Sequence, residues 1–301
     1  MSAAAARLRR AVRSDSAAGW AFALPAVLLI GTFGLVPIAW SFVLSLQKSN
    51  LISPEAPFVG LTNYRALAHD PVFHDSVVHS LIYTALFVPI SVGGGLALAI
   101  ALNRRMRGIR FYRTAVFVPV VASTIATALM FLVLFDKNFG LANYVLGKLG
   151  LGPFGFFEST SGALYSIVAL TVWGWLGFDV IIYLAALQGV PQELIEAAEI
   201  DGAGRWSLFR NVTLPLLGPA TLFLVVWSTI NALQLFDEVY FLTNGGPLHA
   251  TYVVVFYLFD LAFRRGVAGY AAAIAYVLFV AILALTVVQL WVGKRFVHYS
   301  S

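Results

Sequence analysis

The sequence predicts an all-α integral membrane protein with six transmembrane helices. This prediction depends on composition and on the grouping of the apolar residues. Of the 301 residues, 60% are hydrophobic and only 11% are charged, and the mean hydropathy is +0.86. A soluble domain carries about a quarter charged residues. The apolar residues also form six long runs, each of about 20 residues or more, which is the length with which a helix crosses a bilayer.

Polar segments separate the six runs and define the predicted organisation of the chain. An arm of residues 1–19 precedes a transmembrane domain of residues 20–295, and residues 296–301 form a tail. The first run is too long for a signal-peptide core and ends without an obvious cleavage site, so we expect it to be retained as a span. The predicted spans cover residues 20–46, 77–102, 114–135, 164–187, 214–236 and 270–292.

The placement of Lys and Arg predicts the orientation of the spans. With the N-terminus inside, thirteen of the nineteen Lys and Arg residues fall on the cytoplasmic side, as the positive-inside rule requires. Both termini and the segment 190–213 are then cytoplasmic. A further apolar patch at residues 252–263 is short for a span, and we expect it to be a helix partly immersed on the outer side. A seventh span there would move the C-terminus outside, which the charge distribution disfavours.

Several kinds of chemistry are absent from the sequence. The chain has no cysteine, so disulfides and thiol chemistry are excluded, and it has no Gly-x-x-x-x-Gly-Lys-Ser/Thr phosphate loop. It also lacks in-membrane charge pairs of the kind that relay protons. His69, His74 and His79 are five apart and do not share a helix face, so we expect no metal site. The basic residues lie beside apolar runs, where membrane topology explains them better than nucleic-acid binding does.

The most patterned polar passage lies between the fourth and fifth predicted spans. Residues 196–203 read EAAEIDGA. Pro191 fits the first turn of a helix, and Gly202 fits its end because glycine adopts the left-handed conformation at little cost. A second short amphipathic segment follows and contains Trp206 and Phe209. Two short helices joined by a glycine at a membrane surface predict a docking element, without any arrangement of nucleophile and base.

This passage, together with Pro215 and Pro219, resembles the EAA loop of ABC importer permeases. Segments 58–64, 110–119 and 236–247 resemble other parts of the same family, so the likeness covers about residues 20–295. It falls in the carbohydrate-uptake branch. Within that branch, residues 107–112, 194–198 and 285–289 are most similar to the first permease of glycerol-3-phosphate and glycerophosphodiester importers, although disaccharide permeases share much of these segments.

The resemblance implies a role and a set of partners. The fold would be that of a type I importer permease in a bacterial inner membrane, working with a second related permease, two ATPase subunits and an extracytoplasmic solute-binding protein. ATP and Mg would be bound by the ATPase subunits, and this chain would bind no cofactor and catalyse no reaction. The EAA loop would be the coupling helix that fits a cleft of the ATPase. The residues assigned to coupling in this way are Glu196, Ala197, Ala198, Glu199, Asp201, Gly202, Ala203 and Phe209.

Polar and aromatic side chains within the spans are the candidates for contact with the solute, because polar groups are costly in a bilayer. In the fifth span, Asn231, Gln234 and Asp237 fall at steps of three and predict one stripe on one helix face. Such groups could equally hydrogen-bond between helices. The candidates for the solute path are Asn231, Gln234, Asp237, Asp179, Trp173, Tyr183 and Trp227, with Trp175 beside them.

The sequence leaves the solute open. Amide, carboxylate and aromatic groups suit a polyol or sugar, and the carboxylates would repel a phosphate but could receive a cationic head group such as choline. We therefore expect an importer of glycerophosphodiesters or glycerol-3-phosphate, with a disaccharide or oligosaccharide as the alternative. A stand-alone secondary transporter or channel is disfavoured because no inverted repeat is evident. A membrane enzyme is disfavoured because no catalytic constellation is present.

Overall fold

The structure is a computed structural model that describes residues 15–50, 55–104 and 107–296. Most of the predicted arm, and all but Phe296 of the predicted tail, lie outside the described residues. Within those ranges the chain is helical and has no β-strand, and a single antiparallel bridge pairs Gln47 with Phe58. The prediction of an all-α protein is therefore confirmed.

Fifteen α-helices, numbered here in chain order, make up the described part of the chain, and three short π-helical turns interrupt them. The helices are α1 Asp15–Ile30, α2 Val36–Ser45, α3 Thr62–Leu67, α4 Pro71–Leu102, α5 Ile109–Val121, α6 Thr124–Leu134, α7 Leu141–Lys148, α8 Ala163–Gln188, α9 Gln192–Ile200, α10 Arg205–Leu208, α11 Leu214–Leu216, α12 Gly218–Leu233, α13 Asp237–Leu242, α14 Val254–Phe259 and α15 Ala268–Phe296.

The helices that are long and apolar enough to cross a membrane number four among the described residues, and two bent helix pairs raise the number to six. The four are Gly19–Ser45, Pro71–Leu102, Ala163–Gln188 and Ala268–Lys294. The pair α5 and α6 bends by 99°, and the pair from Arg205 to Leu233 bends by 63°. Each predicted span thus has a helix or a bent pair in the structure, although the sequence analysis did not anticipate the sharp bends.

The bend between α5 and α6 has a local cause. Helix α5 ends where Ala122 and Ser123 become extended, with ψ of 143° and 126°, and Pro119 weakens its last turns because proline has no N–H to donate to the preceding turn. The new helix then begins at Thr124. Because Thr124 follows the bend directly, its side chain is displaced from the axis of α5 and lines the cavity described below.

The chain forms two compact units, Met1–Ala68 with Leu261–Tyr276, and His69–Asp260 with Val277–Ser301. In the first, Asn63 donates from Nδ2 to the carbonyl oxygens of Ser45 and Gln47 at 2.8 and 3.0 Å. The hydroxyl of Tyr276 donates to the carbonyl of Ile38 at 2.5 Å. These contacts fasten the segment after α2 and the start of α15 to the first span.

The second unit is built around the pair α4 and α8. Gly95 on α4 faces the Cβ of Asp179 on α8 so closely that a Cβ at position 95 would lie 2.5 Å from it. Helix α12 joins this pair, because the Tyr183 hydroxyl donates to Thr221 Oγ1 at 3.1 Å. Small residues therefore allow close helix packing, and polar side chains link the helices, as is common in membrane proteins.

The apolar patch at residues 252–263 has a partner within the protein. Helix α14 lies in this patch, and Phe256 and Tyr257 are buried. The Val254 N–H donates to Ser80 Oγ at 3.0 Å, and the Tyr257 hydroxyl donates to Asp70 Oδ2 at 2.6 Å. Helix α14 therefore packs against the start of α4, and its partial immersion in the membrane stays a prediction.

Candidate functional site

Residues 190–213, which are predicted to couple to an ATPase and are called the coupling loop from here on, contain two short helices joined at a glycine. Pro191 is the N-cap residue of α9, one position earlier than expected, and Glu193 lies in its first turn. Gly202 ends the helix with a φ of +78°. Its N–H donates to the Glu199 carbonyl at 3.0 Å, and the next N–H, of Ala203, donates to the Ala198 carbonyl at 2.9 Å. These two bonds form a Schellman cap, so local chemistry alone fixes the elbow.

The surface of the coupling loop is exposed and partly apolar. Glu196, Ala197, Glu199, Asp201 and Gly202 are exposed, whereas Ala198, Ala203 and Phe209 are half-buried. Two large apolar side chains are also strongly exposed, with fractions of 87% for Ile200 and 71% for Trp206. An exposed surface that combines apolar anchors with carboxylates is typical of a protein-binding site.

Two adjoining cavities, together called the polar cavity, lie inside the second unit. The larger has a volume of about 160 Å³ and the smaller of about 70 Å³. They share Thr124, Thr171, Trp175 and Glu238 as lining residues. The walls come from α4, α5, α6, α8 and the α12–α13 junction, so the cavity exists only once these elements have packed.

The three polar residues that were predicted to form a stripe on the fifth span do line the polar cavity, but they do not lie on one helix. Asn231, Gln234 and Asp237 all line the larger cavity. Helix α12 ends at Leu233, and α13 begins only at Asp237, so the three residues do not share one continuous helix face. The Asn231 Nδ2 donates to the Trp227 carbonyl at 2.8 Å, which leaves the second N–H and the amide oxygen for contact with a solute.

Glu238, a carboxylate that was not among the predicted site residues, lines both parts of the polar cavity. Burial raises the pKa of the Glu238 carboxyl, and the charge of Asp237 adds to the rise, while a hydrogen bond to its own backbone opposes it. The predicted fifth span stopped at residue 236, so an acidic residue just beyond it drew no attention. The only available signal was the pair of acids directly after an apolar run.

Hydroxyl and aromatic groups complete the lining of the polar cavity. Tyr83 is buried, stacks on Phe87 with ring centroids 5.5 Å apart, and lines the larger cavity together with Thr171. Thr171 and Thr124 contribute further hydroxyls. Nothing in the sequence set these residues apart, because single Tyr and Thr residues are common in apolar helices.

Four predicted path residues lie elsewhere, and two of them hold helices together. Asp179 is 2% exposed and accepts a hydrogen bond from the Ser91 hydroxyl, which connects α8 to α4. Tyr183 is buried and bonded to Thr221, as described above. Neither lines the polar cavity, and their positions favour the alternative in which polar groups connect helices.

The other two, Trp173 and Trp227, are aromatic and partly exposed. Trp173 packs on Phe131 at 5.3 Å, and Trp227 stacks on Phe223 at 6.1 Å. Trp173 lines a separate, apolar cavity rather than the polar one. The role of all four residues in the solute path stays a prediction that their positions do not support. Trp175, which lines the polar cavity, is the better placed of the tryptophans in α8.

The chemistry of the polar cavity is that of a hydroxyl-binding site. Its side chains offer amides, hydroxyls, two carboxylates and the faces of Trp175 and Phe87, and no Lys, Arg or His is among the described residues that line it. Sugars need donors and acceptors for their hydroxyls and an apolar surface for their ring faces. No cluster of His, Asp or Glu that could hold a metal ion occurs in the part of the chain that the structure describes.

Comparison with known proteins identifies the family. Residues 73–298 match the family described as the inner-membrane component of binding-protein-dependent transport systems. The lactose transport system permease LacF of Rhizobium radiobacter is 36% identical over 283 residues, covering 92% of this chain and 94% of that protein. The trehalose/maltose permease MalF of Thermococcus litoralis is 34% identical, and it covers 92% of this chain and 93% of that protein.

A permease of the glycerol-3-phosphate type is similar to nearly the same degree. UgpA of Yersinia pestis is 32% identical over 282 residues, covering 92% of this chain and 94% of that protein. Among solved structures, a chain of a bacterial alginate ABC transporter, crystallised with an alginate pentasaccharide-bound periplasmic protein, superposes with a TM-score of 0.85 over 96% of this chain and 98% of that chain. At 21% identity this likeness concerns the fold.

These relatives are non-catalytic permease subunits, and the matched family is one of inner-membrane components. The chain therefore belongs to the family of inner-membrane components of binding-protein-dependent transport systems, and it is a permease subunit of an ABC importer in the carbohydrate-uptake branch.

Proposed function

We propose that this chain forms one half of the translocation path for a neutral di- or oligosaccharide. The observation that carries the proposal is the lining of the polar cavity, where amides, hydroxyls and aromatic faces surround a space without a basic side chain. Relatives whose names specify lactose and trehalose/maltose transport support the same class of solute.

The second candidate solute is a glycerophosphodiester with a cationic head group, such as glycerophosphocholine. Asp237 and Glu238 favour it, because a carboxylate attracts a quaternary ammonium group. The same two carboxylates disfavour glycerol-3-phosphate, whose doubly charged phosphate would meet no cation among the described lining residues. UgpA, a relative that is named for sn-glycerol-3-phosphate transport, supports a solute that contains a glycerol phosphate group.

The coupling loop is proposed as the surface that binds an ATPase subunit. Its support is the Schellman-capped elbow, the exposed Ile200 and Trp206, and the carboxylates of Glu196 and Glu199 on one face of α9. The complete importer would contain a second permease, two ATPase subunits that hold ATP and Mg, and a solute-binding protein on the outer side. Both termini of this chain and the coupling loop would then face the cytoplasm.

The test is ATP hydrolysis by the complex reconstituted in vesicles with its binding protein. Lactose, maltose, trehalose, glycerophosphocholine and glycerol-3-phosphate are added one at a time. Stimulation by a neutral disaccharide supports the proposal, and stimulation by glycerophosphocholine alone supports the second candidate. Stimulation by glycerol-3-phosphate alone contradicts both, because the cavity carboxylates should repel it. Failure to assemble with any ATPase contradicts the coupling role.

A further inference from the structure

A groove on the second unit lies between α5 and α8 and is separate from the polar cavity. The two helices touch at Gly177, where a Cβ would clash with the carbonyl oxygen of Val116. Along α8 from Gly177 to Leu184 they enclose a groove of about 250 Å³. Its walls are apolar, and Phe117 and Ile181 are 38% and 41% exposed. The groove is therefore open to whatever surrounds the helices.

A guanidinium group forms part of this groove. Arg113 donates from Nη2 to the carbonyl oxygen of Leu102 at 2.9 Å, and Leu102 is the last residue of α4. Its Nε is buried and has no acceptor among the described residues. A buried donor without a partner is destabilising, and a bilayer interior offers no water to compensate. Arg113 also lines the groove, so a negatively charged group in the groove can lie beside its guanidinium.

All the charged residues close to Arg113 in the sequence are basic. Residues 103–121 contain five arginines and no acidic residue, and the groove residues contributed by α8 are uncharged. Phe111 and Tyr112 are 74% and 51% exposed, as is common for aromatic side chains at the level of lipid head groups. A basic site between membrane helices, next to an apolar groove, matches the two parts of an anionic phospholipid.

We propose that this groove binds one anionic phospholipid. An acyl chain lies along Val180, Ile181 and Leu184, and a phosphate oxygen accepts from the part of the Arg113 guanidinium that lines the groove. Arg110, one helical turn before Arg113 and exposed, adds attraction for the head group. The lipid fills the groove between α5 and α8 and, through Arg113, connects to the end of α4.

The experiment uses the complete transporter complex, purified in mild detergent and supplied with palmitoyl-oleoyl phosphatidylglycerol or the matching phosphatidylcholine. Bound lipid is counted by native mass spectrometry. The expected result is one retained phosphatidylglycerol per complex. Arg113→Gln should lower its affinity roughly tenfold, the size expected for loss of one charge-assisted hydrogen bond. Arg113→Lys, which keeps the charge, should retain more lipid than Arg113→Gln.

Two further variants separate the groove from general charge effects. Arg107→Gln removes an exposed arginine that does not line the groove and should leave retention unchanged. Ile181→Trp should fill the groove and abolish retention, while the melting temperature of the complex reports whether the variant is folded.

Equal retention of phosphatidylcholine, or unchanged retention in Arg113→Gln, overturns the proposal. Loss of the second permease in Ile181→Trp would show that a subunit covers the groove, which also overturns it. Release of the lipid by inorganic phosphate would assign Arg113 to a free anion instead.

Discussion

The coupling loop and the polar cavity use polar residues in opposite ways. In the coupling loop, consecutive residues hold their own backbone in shape and present their side chains to solvent, as the cap at Gly202 does. In the polar cavity, residues as far apart in sequence as Tyr83 and Glu238 are brought together by helix packing. A locally determined surface tolerates changes elsewhere in the protein, whereas an assembled cavity depends on every helix that surrounds it.

The largest effect is expected from Gly202→Pro in the coupling loop. Proline cannot adopt a φ of +78° and lacks the N–H that donates to Glu199, so the elbow would be lost at a cost of about 3 kcal/mol or more. We expect uptake to fall at least roughly tenfold, since 1.4 kcal/mol already corresponds to that factor. Membrane insertion should be intact, and ATP hydrolysis should no longer respond to solute.

Gly204→Pro is the matched control, because Gly204 already has a φ of −69°, which proline prefers. It should retain most of the uptake. Uptake assays in vesicles, with ATP hydrolysis measured in parallel, compare the two variants. Normal coupled uptake in Gly202→Pro would contradict the assignment of this loop to coupling.

The next largest effect is expected from Gly95→Leu. Gly95 does not line the polar cavity, but it lies where α4 and α8, two of the helices that surround the cavity, pack together. A side chain at position 95 would meet Asp179 and push α4 away from α8. Overpacking of this kind costs about 1–3 kcal/mol, so both the melting temperature of the complex and its uptake should fall. Gly93→Leu on the same helix has open space around it and serves as the control. Equal losses in both variants would show that the cavity does not depend on this contact.

A smaller effect is expected from Glu238→Gln inside the cavity. The change removes a charge and keeps the size of the side chain. A hydrogen bond to a charged group is stronger than one to a neutral group by about 1 kcal/mol, so KM for the transported solute should rise roughly fivefold with little change in kcat. Glu55→Gln, an exposed acid outside the cavity, is the control. An unchanged KM would remove Glu238 from the solute path.

The smallest effect is expected from Asp179→Asn. The amide oxygen can still accept from Ser91, so the link between α8 and α4 persists, and stability should change by less than about 1.5 kcal/mol. Solute selectivity should be unchanged when lactose, maltose and glycerophosphocholine are compared in the uptake assay. A shift in selectivity would restore Asp179 as a path residue, against its observed position.

The sequence located the coupling loop better than the cavity for a physical reason. Pro191, Gly202 and the amphipathic segments between and after them act through neighbours a few residues away, and these are visible in the sequence. Because polar groups are costly in a membrane, Asp179 and Asn231 are equally good candidates for the solute path when only the sequence is considered. Whether such a group meets a solute or another helix depends on its partner, and Ser91, the partner of Asp179, lies 88 residues away.

The sequence by itself determined the all-α class, the apolar runs that become spans, and the local shape of the coupling loop, because composition and short-range hydrogen bonding decide these features. The tertiary structure alone decided which polar residues share a cavity. It brought Tyr83, Thr124 and Glu238 together with Asn231, and it paired Asp179 with Ser91 in the packing of α4 on α8. It also bent α5 against α6 and packed α14 on the start of α4. These arrangements follow from long-range packing, which no local pattern of residues specifies.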